Sequence, residues 1–164
     1  MQSTPNDAAE PLHSLRTSVT AFAQSIAALP ENLFLTNIVN WTPRDVVAHL
    51  IGWNRYTREG CAQMQAGKEP SYLADADNDF RQVNAASVER YAEQDQQALI
   101  RELEGSFQEL DQFLSGLGAR AWDADTGVRY RGRPVTIRNT IRALGRDYDR
   151  HRQRIEQWAR TRSP

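Results

Sequence analysis

The sequence has a single cysteine and no long apolar run, and each shortage excludes a class of protein. With Cys61 alone, no disulfide can form within the chain, which is typical of proteins in a reducing compartment. No apolar run approaches the ~20 residues that cross a membrane, so a membrane is not a predicted partner. Residues 1–11 lack the basic and apolar segments of a secretory leader. We therefore predict a cytoplasmic protein.

Prolines and glycines are also scarce, and they lie between segments of regular hydrophobic spacing. No internal repeat or low-complexity block divides the chain. Hydrophobic residues make up 40% of the 164 residues, which is enough for one continuous core. We predict a single domain over residues 1–164, with its core between about residues 10 and 160.

The hydrophobic residues that are present recur at spacings of three and four, as on one face of a helix. This pattern predicts four long helices, over residues 11–28, 42–66, 95–116 and 136–160. The second has the clearest start, because Thr42 can cap free amides, Pro43 suits the first turn and Asp45 complements the helix dipole. Long helices with such stripes bury them against one another, which predicts an all-α four-helix bundle.

Shorter elements are predicted in the connections between the long helices. Residues 80–91 form a short extra helix between the second and third long helices, after a polar loop over residues 71–79. Residues 31–40 are an irregular connection. A small hairpin around Arg131-Gly132 precedes the fourth long helix, because the segment alternates in character about this pair.

Charge is segregated along the chain although the net charge is only −1. Residues 1–128 hold 9 basic and 18 acidic side chains, whereas residues 129–164 hold 11 basic and 3 acidic. Arginine recurs at every fourth position of the last helix, at Arg138, Arg142, Arg146, Arg150 and Arg154. We interpret this stripe as one helix face beside acidic neighbouring helices. Because no aromatic interleaving or recognisable motif accompanies the arginines, nucleic acid is not a predicted partner.

The polar residues that can converge in such a bundle are His49 on the second long helix and Asp147 and His151 on the fourth. Residues four apart project from the same side of a helix, so Asp147 and His151 can share one ion. A facing His49 gives two imidazoles and a carboxylate with open positions, which suits catalytic zinc, nickel or iron. The same residues are also typical of a hydrogen-bonded core. Cys61 is excluded as a nucleophile paired with His49, since roughly 18 Å of helix separates them.

WTPRDVVAHLIGW, residues 41–53, has a tryptophan that precedes a helix with one inward histidine, and it is similar to the second-helix signature of the DinB-like superfamily. DYDRHRQRIEQW, residues 147–158, is similar to the fourth-helix signature that supplies two further ligands four residues apart. Between them, NDFRQVNAASVERY, ELEGSFQELDQFL and GRPVTIRNTI resemble the ClbS/DfsB branch most.

The resemblance implies a bundle of up-down-down-up type, often a homodimer, with a divalent metal ion near one end in many members. It places His49 and His151 on ligand positions, and Asp147 where many members have histidine and some have glutamate. Some members look like thiol transferases or isomerases that use a low-molecular-weight thiol, and others look like hydrolases. ClbS-like members resemble metal-free proteins that protect the cell from a reactive genotoxin.

Three hypotheses for function follow. The leading one is a metal-dependent enzyme that acts on a small organic substrate as a transferase, isomerase or hydrolase, with a divalent ion on the three candidate ligands. Trp41, Trp53 and Tyr148 are the candidate pocket residues. The second hypothesis is a metal-free binding or self-protection protein. The third is a bundle that serves in dimerisation or as a scaffold, with its histidines structurally satisfied.

Overall fold

The computed structural model describes residues 5–162, with side chains from residue 8 onward. Residues 1–4 and 163–164 of the predicted domain lie outside this range, and the first four belong to the segment predicted to lack the features of a secretory leader. Six α-helices are described: α1 (Pro5–Ala27), α2 (Glu31–Phe34), α3 (Pro43–Gln65), α4 (Arg81–Arg90), α5 (Gln96–Ser115) and α6 (Ile137–Arg160). The connections hold two 3₁₀ helices, Ser71–Asn78 and Ala119–Asp123, and the antiparallel strands β1 (Arg129–Tyr130) and β2 (Arg133–Pro134). Within residues 5–162 no helix is both long and apolar enough to cross a membrane.

The long helices begin where side chains can satisfy free amides. At the start of α3, Thr42 Oγ1 accepts a hydrogen bond from the Asp45 amide (3.1 Å), and the Asp45 carboxylate accepts one from the Thr42 amide (3.0 Å). This reciprocal pair is a capping box. Asp95 and Thr136 cap α5 and α6 through their side-chain oxygens. The caps therefore fix where α3 and α6, the helices of the candidate ligands, begin.

The four long helices α1, α3, α5 and α6 pack as two pairs. α3 lies chiefly against α5, and α1 chiefly against α6, whereas α3 and α6 meet at fewer positions. One hydrophobic core joins the pairs, and its fully buried side chains include Phe22, Leu50, Ile51, Leu103 and Tyr148. The all-α class is confirmed, and the candidate ligands lie on α3 and α6, one helix from each pair.

The connections differ in part from the prediction. The segment predicted as irregular, residues 31–40, contains the short helix α2, and most of the loop predicted over residues 71–79 is 3₁₀ helix. The extra helix and the hairpin are present as α4 and β1–β2. The hairpin turn residues Arg131 and Gly132 have φ of 51° and 77°, as a two-residue hairpin turn requires.

The prediction that the arginines of α6 share one face is wrong. A four-residue repeat turns by roughly 40° per step on a helix of 3.6 residues per turn. Arg138 is buried and pairs with Asp123, whereas Arg142 is exposed and pairs with Glu10 on α1. The stripe therefore winds around α6, and successive arginines meet different neighbours.

Gly52 lets α4 lie close against α3. A Cβ atom at position 52 would lie 2.0 Å from Ser87 Oγ and 2.7 Å from Ser87 Cβ. The hydroxyl can rotate away but the Cβ cannot, so Gly52→Ala should lower the free energy of unfolding by about 1–3 kcal/mol, measured by chemical denaturation. Adding Ser87→Gly should recover part of this loss. Gly105→Ala is the matched control, because nothing lies within 4 Å of its Cβ position, and equal effects at both sites would contradict the close packing.

Candidate metal centre

His49 of α3 and Asp147 and His151 of α6 come together where the two helices meet. One ligand atom from each lies within 4.8 Å of the other two. The carboxylate stands between the imidazoles, with Asp147 Oδ2 3.0 Å from His49 Nε2 and Asp147 Oδ1 3.5 Å from His151 Nε2. The imidazole rings meet edge to face, with centroids 5.2 Å apart. The structure thus brings the three predicted residues together, and we call them the metal centre.

Asn84 of α4 contacts His49 through the other ring nitrogen. The Asn84 side-chain oxygen lies 2.8 Å from Trp53 Nε1 and 3.1 Å from His49 Nδ1. Because indole N–H can only donate, the atom that faces it is an acceptor, and His49 Nδ1 must carry a proton to bond the same oxygen. His49 Nε2 then faces Asp147 Oδ2 at 3.0 Å, an approach that requires a proton or a cation between the two atoms.

Burial and charge set the protonation of the two α6 residues. Burial lowers the pKa of His151 to about 4, and the nearby charge of Asp147 opposes this shift only in part. The His151 imidazole is therefore neutral at pH 7 and keeps a lone pair. Burial would raise the pKa of Asp147, but the hydrogen bond from His49, the imidazoles when they are protonated at acidic pH, and the charge of Arg150 outweigh it, so this pKa is lowered. Neutral imidazole and carboxylate are the forms that bind metal ions.

The donor set and its spacing fit a divalent ion. Zinc binds imidazole nitrogen and carboxylate oxygen at roughly 2.0–2.2 Å, so two ligand atoms of a tetrahedral site lie about 3.4 Å apart. The imidazole–carboxylate separations are 3.0 Å to Asp147 Oδ2 and 3.5 Å to Asp147 Oδ1, close to that value, and all three ligand atoms lie within 4.8 Å of one another. Three protein ligands also leave a coordination position for water or substrate, as in catalytic rather than structural sites.

Two cavities adjoin the metal centre. The larger, of about 730 Å³, is lined by Asp147 and Trp53 among others. The smaller, of about 370 Å³, is lined by His151 and Trp41. Tyr148 lines neither of them, because it is fully buried and its hydroxyl bonds within the core. Trp41 and Trp53 therefore lie in cavity walls, whereas Tyr148, also predicted as a pocket residue, lies in the core. A binding role for the two tryptophans stays a prediction.

Cys61 lies outside the metal centre. The thiol is fully buried in the core, and burial raises its pKa to about 12. A thiol in this state is protonated at neutral pH and unreactive. The exclusion of Cys61 as a nucleophile agrees with this environment.

Sequence reasoning missed Asn84 as the partner of His49. The segment that contains it resembles the ClbS/DfsB branch, which was the available hint. Asn84 and His49 are 35 residues apart in the sequence. Their contact depends on how α4 packs against α3, and the spacing of residues within one helix does not predict that packing.

Removal of the Asn84 carbonyl should weaken metal binding without unfolding the chain. Asn84→Leu takes away the acceptor that orients His49, and loss of such a partner typically costs about 10–100-fold in metal affinity. Competition with a chromophoric chelator would measure the affinity. Asn84→Asp keeps an acceptor and should restore most of it, and the exposed Gln82→Ala on the same helix is the neutral control. Equal affinities for Asn84→Leu and Gln82→Ala would contradict the orienting role.

A comparison with protein families matches residues 35–156 to the family described as the mycothiol maleylpyruvate isomerase N-terminal domain. The matched segment contains all three residues of the metal centre. This match confirms the resemblance to the DinB-like superfamily. Among curated proteins, no match to the chain was found.

Solved structures of low sequence identity share the fold. DfsB, described as a sibling lethal factor precursor, is 14% identical, with 94% of this chain and 96% of that chain covered and a TM-score of 0.78. A protein from Streptococcus pneumoniae is 16% identical over 98% of this chain and 94% of its own, with a TM-score of 0.78. The colibactin self-resistance protein ClbS, solved in complex with double-stranded DNA, is 12% identical over 96% and 98%, with a TM-score of 0.72. These likenesses show that the chain shares the fold of DfsB and ClbS.

The prediction that nucleic acid is not a partner is wrong, because ClbS, which shares the fold, was solved with double-stranded DNA. The prediction relied on the lack of aromatic interleaving and of a known motif near the arginines. Contacts to phosphate need neither, since they depend chiefly on positive charge. The homodimer, the cytoplasmic location and the bound metal ion stay predictions.

Proposed function

The chain belongs to the mycothiol maleylpyruvate isomerase N-terminal domain family, and from this membership and the geometry of the metal centre we propose that it is a metal-dependent enzyme acting on a small organic substrate. In this proposal, His49, Asp147 and His151 hold a divalent ion. The observation that carries the proposal is the convergence of one ligand atom from each of these three residues, all within 4.8 Å of one another.

The ion would supply Lewis-acid chemistry, lowering the pKa of a water or thiol toward neutrality. The chain holds the ligands in place for it. Asn84 directs Nε2 of His49 toward Asp147, and Arg150 donates a hydrogen bond to Asp147 Oδ1, which leaves Oδ2 toward His49. The Trp41 ring lies 5.0 Å from the His49 ring and covers it on the side of the smaller cavity.

Two cavities beside one metal centre favour a reaction with two organic partners. Asp147 lines the larger cavity and His151 the smaller, so a ligand in either would lie next to the ion. We propose that a low-molecular-weight thiol is the cosubstrate and that the reaction is a thiol-dependent transfer or isomerisation. A hydrolase would need one cavity for its organic substrate and a coordination position for water, so the second cavity would have no role in hydrolysis.

Metal analysis coupled to a thiol-transfer assay tests the proposed function. Protein purified without an affinity tag should contain near-stoichiometric zinc, nickel or iron, which a chelator removes. Conjugation of N-acetylcysteine to a chlorodinitrobenzene should stop on chelation and return when the metal is restored. Bovine serum albumin with the same added metal is the control for conjugation by the ion alone.

A metal-free binding or self-protection protein predicts the opposite result. Such a protein would contain no metal as purified, and electrophiles would raise its Tm equally with and without chelator, because ligands that bind only the folded state stabilise it. This outcome would replace the enzyme with a binding protein.

A further inference from the structure

The walls of the larger cavity indicate what it binds. We propose that this cavity takes a small anion carrying a flat unsaturated ring, of the class of aromatic carboxylates and aryl phosphate esters. The proposal rests on the proposed function in one respect only, which is that a ligand in this cavity lies beside the ion at which the reaction takes place. Binding itself depends only on the side chains that form the cavity.

One wall of the cavity is aromatic and is assembled from three separate segments. Trp53 of α3 contacts Tyr72 and Phe80, with ring centroids 5.2 Å and 5.3 Å away, both edge to face. Phe80 in turn contacts Tyr130 of the hairpin at 5.9 Å. All four rings line the cavity and are only partly buried. Flat ligands stack on such rings. Contacts between nucleic-acid bases and aromatic side chains show that the stacking energy tolerates different ligand rings.

The backbone that presents Phe80 adopts an uncommon conformation. Asp79 and Phe80 have φ of 52° and 60°, in the left-handed region that residues with a Cβ seldom occupy. Asp75 stabilises this turn, since its carboxylate accepts hydrogen bonds from the amides of Gln82 (2.8 Å) and Val83 (3.0 Å) at the start of α4. Such conformations concentrate at ligand sites, and this one presents Phe80 to the cavity.

The other wall is cationic. Arg133, Arg146 and Arg150 line the cavity, and all three are exposed. Arg150 pairs with Asp147, but among the residues that the structure describes, Arg133 and Arg146 have no acidic partner. Asp147 is also the one acidic side chain of the described lining. Two uncompensated guanidinium groups favour an anionic ligand, for which arginine is a bidentate donor.

Together the walls select for size as well as for charge. A cavity of about 730 Å³ lies within the ~300–1,000 Å³ range of small-molecule sites. An anion without a ring would leave the aromatic wall unused, and a neutral ring would leave the arginines unpaired. A phosphate backbone would engage the arginines alone, so duplex DNA serves as a competing occupant in the test.

Calorimetric titration with matched ligands tests the proposal on the whole chain. The probes are 1-naphthoate, which has ring and charge, 1-naphthalenemethanol, which has the ring alone, and acetate, which has the charge alone. We expect 1-naphthoate to bind roughly ten-fold or more tightly than either, with an affinity that falls as salt is added. Equal affinity for 1-naphthoate and 1-naphthalenemethanol, or no binding of 1-naphthoate, would overturn the proposal.

Variants separate the two walls. The double variant Arg133→Gln/Arg146→Gln should weaken 1-naphthoate by roughly ten-fold and leave 1-naphthalenemethanol unchanged. Phe80→Leu should weaken both ring ligands by roughly five-fold or more, and Tyr130→Leu repeats this test if Phe80→Leu folds poorly. Arg142→Gln, an exposed arginine of α6 that pairs with Glu10 outside the cavity, is the matched control.

Two further results distinguish a failure of the proposed enzyme function from a failure of the cavity proposal. If 1-naphthoate binds the His49→Ala protein as tightly as the natural one, the cavity proposal holds even where metal analysis rejects the enzyme. A DNA duplex is the competing ligand. If the duplex displaces 1-naphthoate, and if binding of the duplex depends on Arg133 and Arg146 but not on Phe80, the cavity is a phosphate-backbone site and the proposal is wrong.

Discussion

The His151→Ala protein should bind a divalent ion more than about 100-fold more weakly than the natural protein, a larger loss than removal of a supporting contact causes. His151 supplies one of three ligand atoms that lie within 4.8 Å of one another. Burial lowers its pKa to about 4, so at neutral pH no proton competes with the ion for its lone pair. Metal content after dialysis and chelator competition would both report the loss.

The third histidine of the chain provides a matched control for this prediction. His13 is exposed on α1, so His13→Ala should retain the metal. Asp147→Asn, which keeps the shape but removes the charge, should lose affinity as His151→Ala does. Circular dichroism should show that all three variants keep their helices. Metal retained at the natural level by both His151→Ala and Asp147→Asn would place the ion elsewhere or leave the protein without a specific site.

Asn54→Leu should lower the free energy of unfolding by about 2–4 kcal/mol, because it breaks a fully buried polar network. Asn54 accepts a hydrogen bond from the Tyr148 hydroxyl (2.7 Å) and donates one to Ser106 Oγ (3.0 Å). These bonds join α3 to α6 and to α5 inside the core. A leucine would leave the Tyr148 hydroxyl without a described partner, and burial already raises the pKa of this phenol. Denaturant titration would measure the change.

A double-mutant cycle separates the hydrogen bond from packing. Tyr148→Phe alone should destabilise by about 1–3 kcal/mol, because the buried Asn54 oxygen loses its donor. In Asn54→Leu/Tyr148→Phe both polar groups are gone, and the total loss should be smaller than the sum of the single losses. Strict additivity would show that the two side chains do not interact energetically.

The elements best predicted from sequence are those whose local residues act alone. The start of α3 follows from the capping box of Thr42 and Asp45 and from Pro43 in the first turn, all within four residues. The predicted ends of the long helices also agree closely, apart from α1, which begins at Pro5 and includes Pro11. The four-residue helix α2 was missed because it is shorter than the window in which helical spacing becomes visible.

The same distinction applies to the residues of the site, because local sequence predicts some of them and not others. His49, Asp147 and His151 could be nominated because helical spacing puts two of them on one side of α6 and a family resemblance supplies the third. The rest of the surroundings depends on packing that no local pattern encodes. Asn84 reaches His49 only because Gly52 lets α4 approach α3. The cavity wall at Phe80 depends on two consecutive residues that adopt the left-handed backbone conformation although neither is a glycine.

The division of the bundle into two helix pairs has a consequence for an ion in the metal centre. His49 belongs to the pair α3–α5, while Asp147 and His151 belong to the pair α1–α6, so coordination would bridge the two halves where direct helix contact is sparse. Separation of the halves would then require release of the ion. Occupancy would accordingly raise the unfolding temperature in step with the free metal concentration, by the equivalent of about 2.7 kcal/mol at a hundred times Kd.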